Sequence, residues 1–387
     1  MSQPLKGTVI LDLTHVLAGP YASMILADLG AKVIKVERPE IGDDTRAFPP
    51  FKGDDSAYFA TINHGKESIA LDLKQQEDRE LFERLLAQAD VLLENYRPGV
   101  MDRLGYGWAT LHAKHPKLIY GAVSGFGHSG PDAMKPAYDM VVQARGGVMS
   151  ITGERDREPV RVGASIGDIA AGMFLAHGIL AALLQVQKGG DGQMVDVAML
   201  DSQLALLEHA VAITSTTGEA PRPNGARHPS ITPFETFHAE DGLFVIAAGN
   251  DVLFQRLCKA LALPIADDVR FSTNQSRCEN ARLLKRLIEA VTIDRPAAHW
   301  IAELEAAGIP TGPIQNVAQA MEDPQMLARN MVVSVLDKAG TPAYVAAGNP
   351  IKMSAMEDPK TRAPAPSLDG DRDGIVAWLE TKEAGST

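Results

Sequence analysis

"GTVILDLTHVLAGPYASMILADLGAKVIKVE", residues 7–37, decides the fold. Residues 7–13 read as a strand. Residues 18–29 carry apolar side chains at helical spacing and stop at Gly30, a residue suited to the left-handed turn that ends a helix. Residues 31–37 read as a second strand, so the stretch is one βαβ unit with parallel strands. The pattern continues with strands at 67–73, 91–95 and 117–125 and a helix at 76–88. Apolar strands alternating with helices imply a mostly parallel sheet covered on both faces. The fold class is therefore α/β, with a Rossmann-like large domain.

Beyond residue 200 the texture changes. Residues 216–233 are rich in Gly, Pro and polar residues and read as a linker or exposed loop. Residues 231–249 read as strand, turn at Asp241-Gly242, and strand, followed by helical stretches near 251–261, 279–291 and 297–307. The expected organisation is a large α/β domain over 1–205, a smaller inserted α+β domain over 225–325, and a return to the large domain over 326–387, with a last helix near 372–382. Residues 205–230 and 325–360 read as long linkers.

Composition narrows the function. The 387 residues are 45% hydrophobic, enough for a sizeable core. The apolar run 169–184 is shorter than the roughly 20 residues of a membrane span. The N-terminal stretch lacks the apolar segment of a secretory leader, and Cys258 and Cys278 are the only cysteines, so a reduced, cytoplasmic setting is expected. A net charge of −12 argues against nucleic acid as a partner. An anionic small ligand needs a local cluster of cations. No Cys spacing suits a metal, nor do Glu208, His209 and His228, so no metal is expected.

The βαβ unit invites a dinucleotide, and Glu37 ends the second strand where a ribose-binding acid belongs. The first turn, THVLAGPYA, holds one glycine, Gly19, and lacks the G-x-G-x-x-G phosphate cradle. The chemistry points instead to Asp168, which sits at the mouth of the apolar run 169–184. As a helix N-cap it would satisfy free amides and suit the positive end of the dipole. Its neighbours Gly163, Ala164, Ser165 and Gly167 are small, so another molecule can approach the backbone. A carboxylate in such a slot can attack an acyl group, with amides of the helix start facing the oxyanion. His177, inside the apolar run, reads as a packed core histidine. His15, after the first strand, is as well explained by backbone hydrogen bonding as by ligand contact.

Eight stretches in order resemble the class III coenzyme A transferases, the family of formyl-CoA transferase, carnitine CoA-transferase and α-methylacyl-CoA racemase. They are ILDLTHVLAGPYASMILADLGAKVIKVERP (10–39), GDDTR (42–46), NHGKESIALDLK (63–74), ENYRPGVMDRLG (94–105), VSGFGHSGP (123–131), VGASIGDIAAGM (162–173), VDVAMLDS (195–202) and GIPTGPIQNVAQAMEDPQ (308–325). The resemblance places the family's nucleophile on Asp168. It implies an acyl-CoA thioester as substrate, with no permanently bound cofactor, and an interlocked homodimer. It implicates Leu17, Ala18, Arg38, Leu71, Asp72, Leu73, Lys74, Asn95, Tyr96, Arg97, Arg103, Ala137, Tyr138 and Asp139 in binding coenzyme A. Leu71 and Leu73 have an alternative as core, and Asn95 as a turn former.

Two chemistries exist in this family. Racemisation needs a second base, and its members carry Gly-His-Asp where this chain has Ala137-Tyr138-Asp139. A tyrosine, with an unperturbed pKa of about 10, is a poor base at neutral pH. The expected activity is therefore CoA transfer between an acyl-CoA and a free carboxylic acid. A racemase or a non-catalytic CoA-binding protein is the alternative. Leu17 stands where oxalate-handling members carry Gln, and residues 228–258 look like succinyl-CoA:glutarate CoA-transferase members. A C4 to C6 dicarboxylate, with Arg227, His228, Gly249 and Asn250 near it, is the expected acceptor.

Overall fold

Parallel pairing begins where the sequence requires it. The first strands are β1 (Val9–Asp12), β2 (Lys32–Glu37), the short β3 (Phe51–Lys52) and β4 (Asp55–Ser56), β5 (Glu67–Ala70), β6 (Val91–Glu94), β7 (Ile119–Ser124) and β8 (Met194–Ala198). Apart from the β3–β4 hairpin they form one parallel sheet in the order β5-β2-β1-β6-β7-β8. The structure is a computed structural model describing residues 3–385; Met1, Ser2, Ser386 and Thr387 lie outside the described residues. This sheet belongs to a unit of Met1–Met149, Arg161–Ala220 and Asp323–Thr387. Ser150–Val160 and Pro221–Glu322 make a second unit.

The period-two alternation of the strands sorts their side chains to two faces. Ile10, Val33, Leu93 and Ile119 pack with the helix Ala18–Asp28 and with Leu175 and Ile179 of the long helix Ile166–Gln187. Leu11, Ile34, Ile69 and Leu92 pack on the other face with Phe82 and Leu85 of the helix Gln76–Leu86. The C-terminal helix Arg372–Ala384 covers the same face through Ile375 and Leu379. Each such Leu or Ile contributes roughly 1.5–3 kcal/mol by leaving water. Strand β8 escapes the sequence pattern because it is a half-exposed edge strand with Asp196 pointing to solvent.

The long helix corrects three expectations. It runs 22 residues, longer than the apolar run, and by length and composition alone is able to cross a membrane; here Ala171, Leu175, Ile179 and Ala182 are buried in the protein. Its N-cap is Ser165, so Asp168 lies inside the first turn rather than capping it. His177 is exposed, not packed in the core. The 3.6-residue repeat puts it on the outward face with Met173, Phe174 and Leu184, and its Nδ1 lies 2.7 Å from the Met173 carbonyl oxygen.

Residues 205–230 and 325–360 are also not plain linkers. The first holds the helix Glu208–Thr217. In the second unit β9 (Phe234–Ala239), β10 (Gly242–Ala247) and β11 (Thr311–Pro313) form an antiparallel sheet in the order β11-β10-β9. Phe237, Phe244, Phe254, Leu284 and Ile288 make its core, and Gly225 N–H donates to the Gly153 carbonyl at 3.0 Å, tying in the segment 150–160. The span 325–360 contains an antiparallel pair, β12 (Val332–Leu336) and β13 (Pro342–Ala347); β14 (Thr361–Arg362) then runs parallel to β12.

One close approach locks the long helix to the helix Ala18–Asp28. A Cβ on Gly172 would lie 2.5 Å from the Ala18 carbonyl oxygen, a backbone atom that cannot rotate away. Gly172→Ala is therefore expected to cost about 1–3 kcal/mol by overpacking, against the gain alanine usually brings inside a helix. Urea unfolding measures it, and a stabilised variant would contradict the contact.

Candidate active site

Because the strands are parallel, β1, β2, β5, β6 and β7 all deliver their following loops to one edge. The strand order reverses between β1 and β6, the place where open α/β sheets bind ligands. A cavity of about 230 Å³ opens there, lined by Thr14, His15, Lys35, Arg38, Asp43 and Tyr96 among others. The loops after β1, β2, β5 and β6 carry Leu17 and Ala18, Arg38, Leu71 to Lys74, and Asn95 to Arg97; Arg103 follows on the helix Val100–Leu104. The side chains of Leu17, Ala18 and Leu71 are buried and Leu73 packs against the core, leaving mainly backbone to a ligand. Asp72 is a turn former, accepting the Lys74 N–H at 3.1 Å.

The cations differ in availability. Arg38 donates to Asp44 at 2.5 Å and to the Gly42 carbonyl at 3.2 Å. Lys74, Arg97 and Arg103 are exposed and make no ion pair among the described residues, so an acidic chain presents free positive charge along this edge. Asn95 clamps the backbone of His15, accepting its N–H at 3.0 Å and donating to its carbonyl at 2.7 Å. Burial holds the His15 imidazole below its ordinary range, against the opposing charges of Asp43 and Asp44.

Beneath this edge lie four buried charges that sequence reasoning did not single out. Lys66 donates to Asp12 at 3.1 Å and Lys35 pairs with Asp43 at 2.8 Å. Burial disfavours the Asp12 carboxylate, but Lys66 and Lys35 outweigh it and hold its pKa at about 2. Burial pulls Lys66 down to about 8. All four fall within the quoted stretches 10–39, 42–46 and 63–74, but nothing local marks them as buried.

Asp168 is the opposite kind of carboxylate. It is half-buried and accepts no hydrogen bond among the described residues. Burial, then the charge of Asp139, raises its pKa to about 7. Asp139 starts the helix Asp139–Arg145 and accepts the Gly167 N–H at 2.8 Å. Its other oxygen accepts from Gln143, whose own oxygen takes the Val162 N–H, each at 2.8 Å. Gly167 allows this clamp, since a Cβ there would lie 2.7 Å from Val142. The clamp changes one expectation about the helix start. The N–H groups of Ile166, Gly167 and Ile169 go to Ala164, Asp139 and Ser165, leaving Asp168's own N–H without a partner among the described residues. The first turn is thus largely spent before any oxyanion arrives. Tyr58 was not legible beforehand; burial and then the charges of Asp168 and Asp43 raise its hydroxyl pKa, so both acids act on it. Ala137 packs on Gly125 after β7, and Tyr138 is 79% exposed.

In the second unit Arg227 reaches Asn224 Oδ1 at 3.3 Å and lines a cavity of about 500 Å³ with Arg155, Arg282 and Arg286. His228 stacks on Phe234. Gly249 follows β10, and the Asn250 side chain caps a helix by accepting the Leu253 N–H at 2.9 Å.

Comparison with known proteins follows the same lines. The pattern of CoA-transferase family III matches residues 5–372. An acetyl-CoA:oxalate CoA-transferase of Acetobacter aceti is 47% identical over 95% of this chain and 93% of its own. A succinate–glutarate CoA-transferase of Agrobacterium fabrum is 38% identical over 99% and 98%. The crystal structure of a CAIB/BAIF family protein from Brucella suis superposes with a TM-score of 0.86 at 38% identity, covering 98% of this chain and all of that one.

The raised carboxyl of Asp168 has a stability consequence. Folded, it keeps its proton up to about pH 7; unfolded, only to about pH 4. Stability present below pH 4 is lost as the pH rises through 7. Asp168→Asn is therefore expected to exceed wild type by on the order of 2 kcal/mol at pH 8 and to match it below pH 4. Urea melts across pH measure the gap, and a constant difference would refute the raised pKa.

Proposed function

The chain belongs to CoA-transferase family III, and from that premise we propose that it transfers coenzyme A between an acyl-CoA and a dicarboxylate through covalent chemistry on Asp168. The observation that carries this is the Asp168 carboxylate itself, which accepts no hydrogen bond among the described residues, at the start of the long helix and beside an edge rich in exposed cations. A carboxylate without donors keeps its lone pairs for attack. An Asp168 oxygen attacks the thioester carbonyl, the C–S bond breaks, and the CoA thiolate leaves a mixed anhydride. The thiolate then attacks the Asp168 acyl carbon, expelling the donor acid and forming an aspartyl-CoA thioester. The acceptor carboxylate repeats the two steps in reverse and departs as the new acyl-CoA, restoring Asp168. The acyl group stays activated throughout, so no nucleotide hydrolysis is needed. The phosphates of coenzyme A fit the exposed Lys74, Arg97 and Arg103, and Arg38 once it exchanges Asp44 for phosphate.

Racemisation is not favoured: the similar proteins are named transferases, and a tyrosine, Tyr138, stands where racemases carry their histidine base. For the acceptor, Leu17 and the short glycine run at 247–250 set this chain apart from oxalate-handling members. The buried Leu17 side chain says little about acceptor polarity, however, and a relative at 47% identity is named for oxalate. The acceptor class is therefore short dicarboxylates, oxalate included. A second carboxylate wants a cation; Arg227, in a cavity rich in arginine, is the candidate, while His228 and Asn250 are engaged as described.

A homodimer completes the proposal, as the smaller inserted domain and interlocked assembly of the family imply. Met173, Phe174, Leu184, Leu204 and Val211 are exposed on the helices 166–187, 199–205 and 208–217, an apolar surface of the kind a partner subunit covers.

Acyl-CoA followed by hydroxylamine should leave a hydroxamate on Asp168 by peptide mapping, and Asp168→Ala should lose at least about three orders of magnitude in rate. Near-normal transfer by that variant would sink the mechanism. The specificity test is kcat/KM for oxalate, succinate, glutarate and acetate. The best dicarboxylate should exceed acetate at least about ten-fold, one well-placed ion pair's worth. Arg227→Ala should raise the dicarboxylate KM more than the acetate KM; equal changes would remove Arg227 from the site. Sedimentation at low micromolar concentration should show a dimer, and a monomer would contradict the covered face.

A further inference from the structure

The loop after β1 is held from below by far more than a turn requires. Residues 14–16 use five backbone groups on buried or partly buried side chains. Asp12 accepts the Thr14 N–H at 2.9 Å, and Lys35 donates to the Thr14 carbonyl at 2.7 Å. Asn95 takes both polar groups of His15. Asp43 accepts the Val16 N–H at 3.2 Å and pairs with Lys35 at 2.8 Å. Asp12, Lys35, Asp43 and Lys66 are all essentially inaccessible. Lys66 is saturated by Asp12, Ser23, Asn63 and the Pro20 carbonyl, so it has no free lone pair or proton site for chemistry.

Val16 explains the investment. Its φ is +67°, a conformation that strongly disfavours a β-branched residue and persists only where surroundings over-determine it. The strained residue lies at the carboxyl edge, between His15 of the cavity and the buried Leu17. Four buried charges are a costly way to stabilise a fold, because apolar side chains of similar size do as well or better.

We propose that Lys35 and Asp43 are positioning residues for coenzyme A, holding residues 14–16 in the strained shape the cofactor meets. This rests on the reading that the carboxyl edge binds coenzyme A. Neither side chain need touch the ligand; each acts through the backbone of Thr14 and Val16.

The test is a charge-balanced variant, Lys35→Met with Asp43→Ala, measured by calorimetry with coenzyme A itself and by steady-state transfer. The Kd for coenzyme A and the KM for the thioester should rise at least ten-fold, with kcat at saturation within about three-fold. Adding Val16→Gly should recover three-fold or more of the binding, because glycine takes a positive φ without the Cβ penalty and no longer needs the network. A purely structural network would not show that rescue. Should the double variant not fold, Lys35→Gln provides the same Kd-against-kcat comparison. Unchanged Kd in a folded variant, or a loss of kcat alongside the rise in Kd with no rescue by Val16→Gly, overturns the proposal. Wild-type protein that binds coenzyme A but forms no adduct on Asp168 would refute the covalent mechanism and leave the positioning role standing.

Discussion

The contact of Gly172 with the Ala18 carbonyl is the constraint on which the site depends. It sets the distance between the helix that follows β1 and the long helix that carries Asp168. Both pack on the same face of the sheet, through Ala18, Leu26, Leu175 and Ile179. A glycine one turn beyond Asp168 thus brings the carboxylate to the edge where the parallel strands end. Any larger residue separates the two helices and moves Asp168 relative to the loop at residues 14–17.

Three aspartates show how environment divides labour among identical side chains. Asp12 accepts from Thr14, Ser23 and Lys66 and stays ionised far below neutral pH. Asp139 spends its oxygens on Gly167 and Gln143, fixing the start of the long helix. Asp168 receives no donor among the described residues and feels the charge of Asp139, so its charge is uncompensated and its affinity for a proton is high. A group so poorly solvated is reactive toward an electrophile for the same reason it is unstable as a charge. Strain at Val16 belongs with it, since both costs are met at the edge proposed to bind ligand.

The apolar character of the long helix has two explanations that only packing separates. Its inward residues fill the core, while Met173, Phe174 and Leu184 face outward with His177. Composition alone reads such a helix as wholly buried, because a sequence records hydrophobicity and not which neighbour supplies the burial. The same ambiguity made residues 325–360 read as a linker, although VVSVL at 332–336 alternates as a strand does.

By itself the sequence determined the βαβ repeat, the parallel sheet, the hairpin at 234–247 and Asp168 at the head of an apolar helix, because periodicity, turn residues and motif order are local properties. It also placed Arg38, Lys74, Arg97 and Arg103 at strand ends or in the loops after strands, and parallel strands carry such loops to one edge. Tertiary structure alone decided that Asp139 clamps Gly167, that Gln143 holds Val162, and that Lys35, Asp43, Asp12 and Lys66 are buried together. These partners lie 8 to 54 residues apart in the chain. Their energies come from exclusion of water by elements that no local pattern connects.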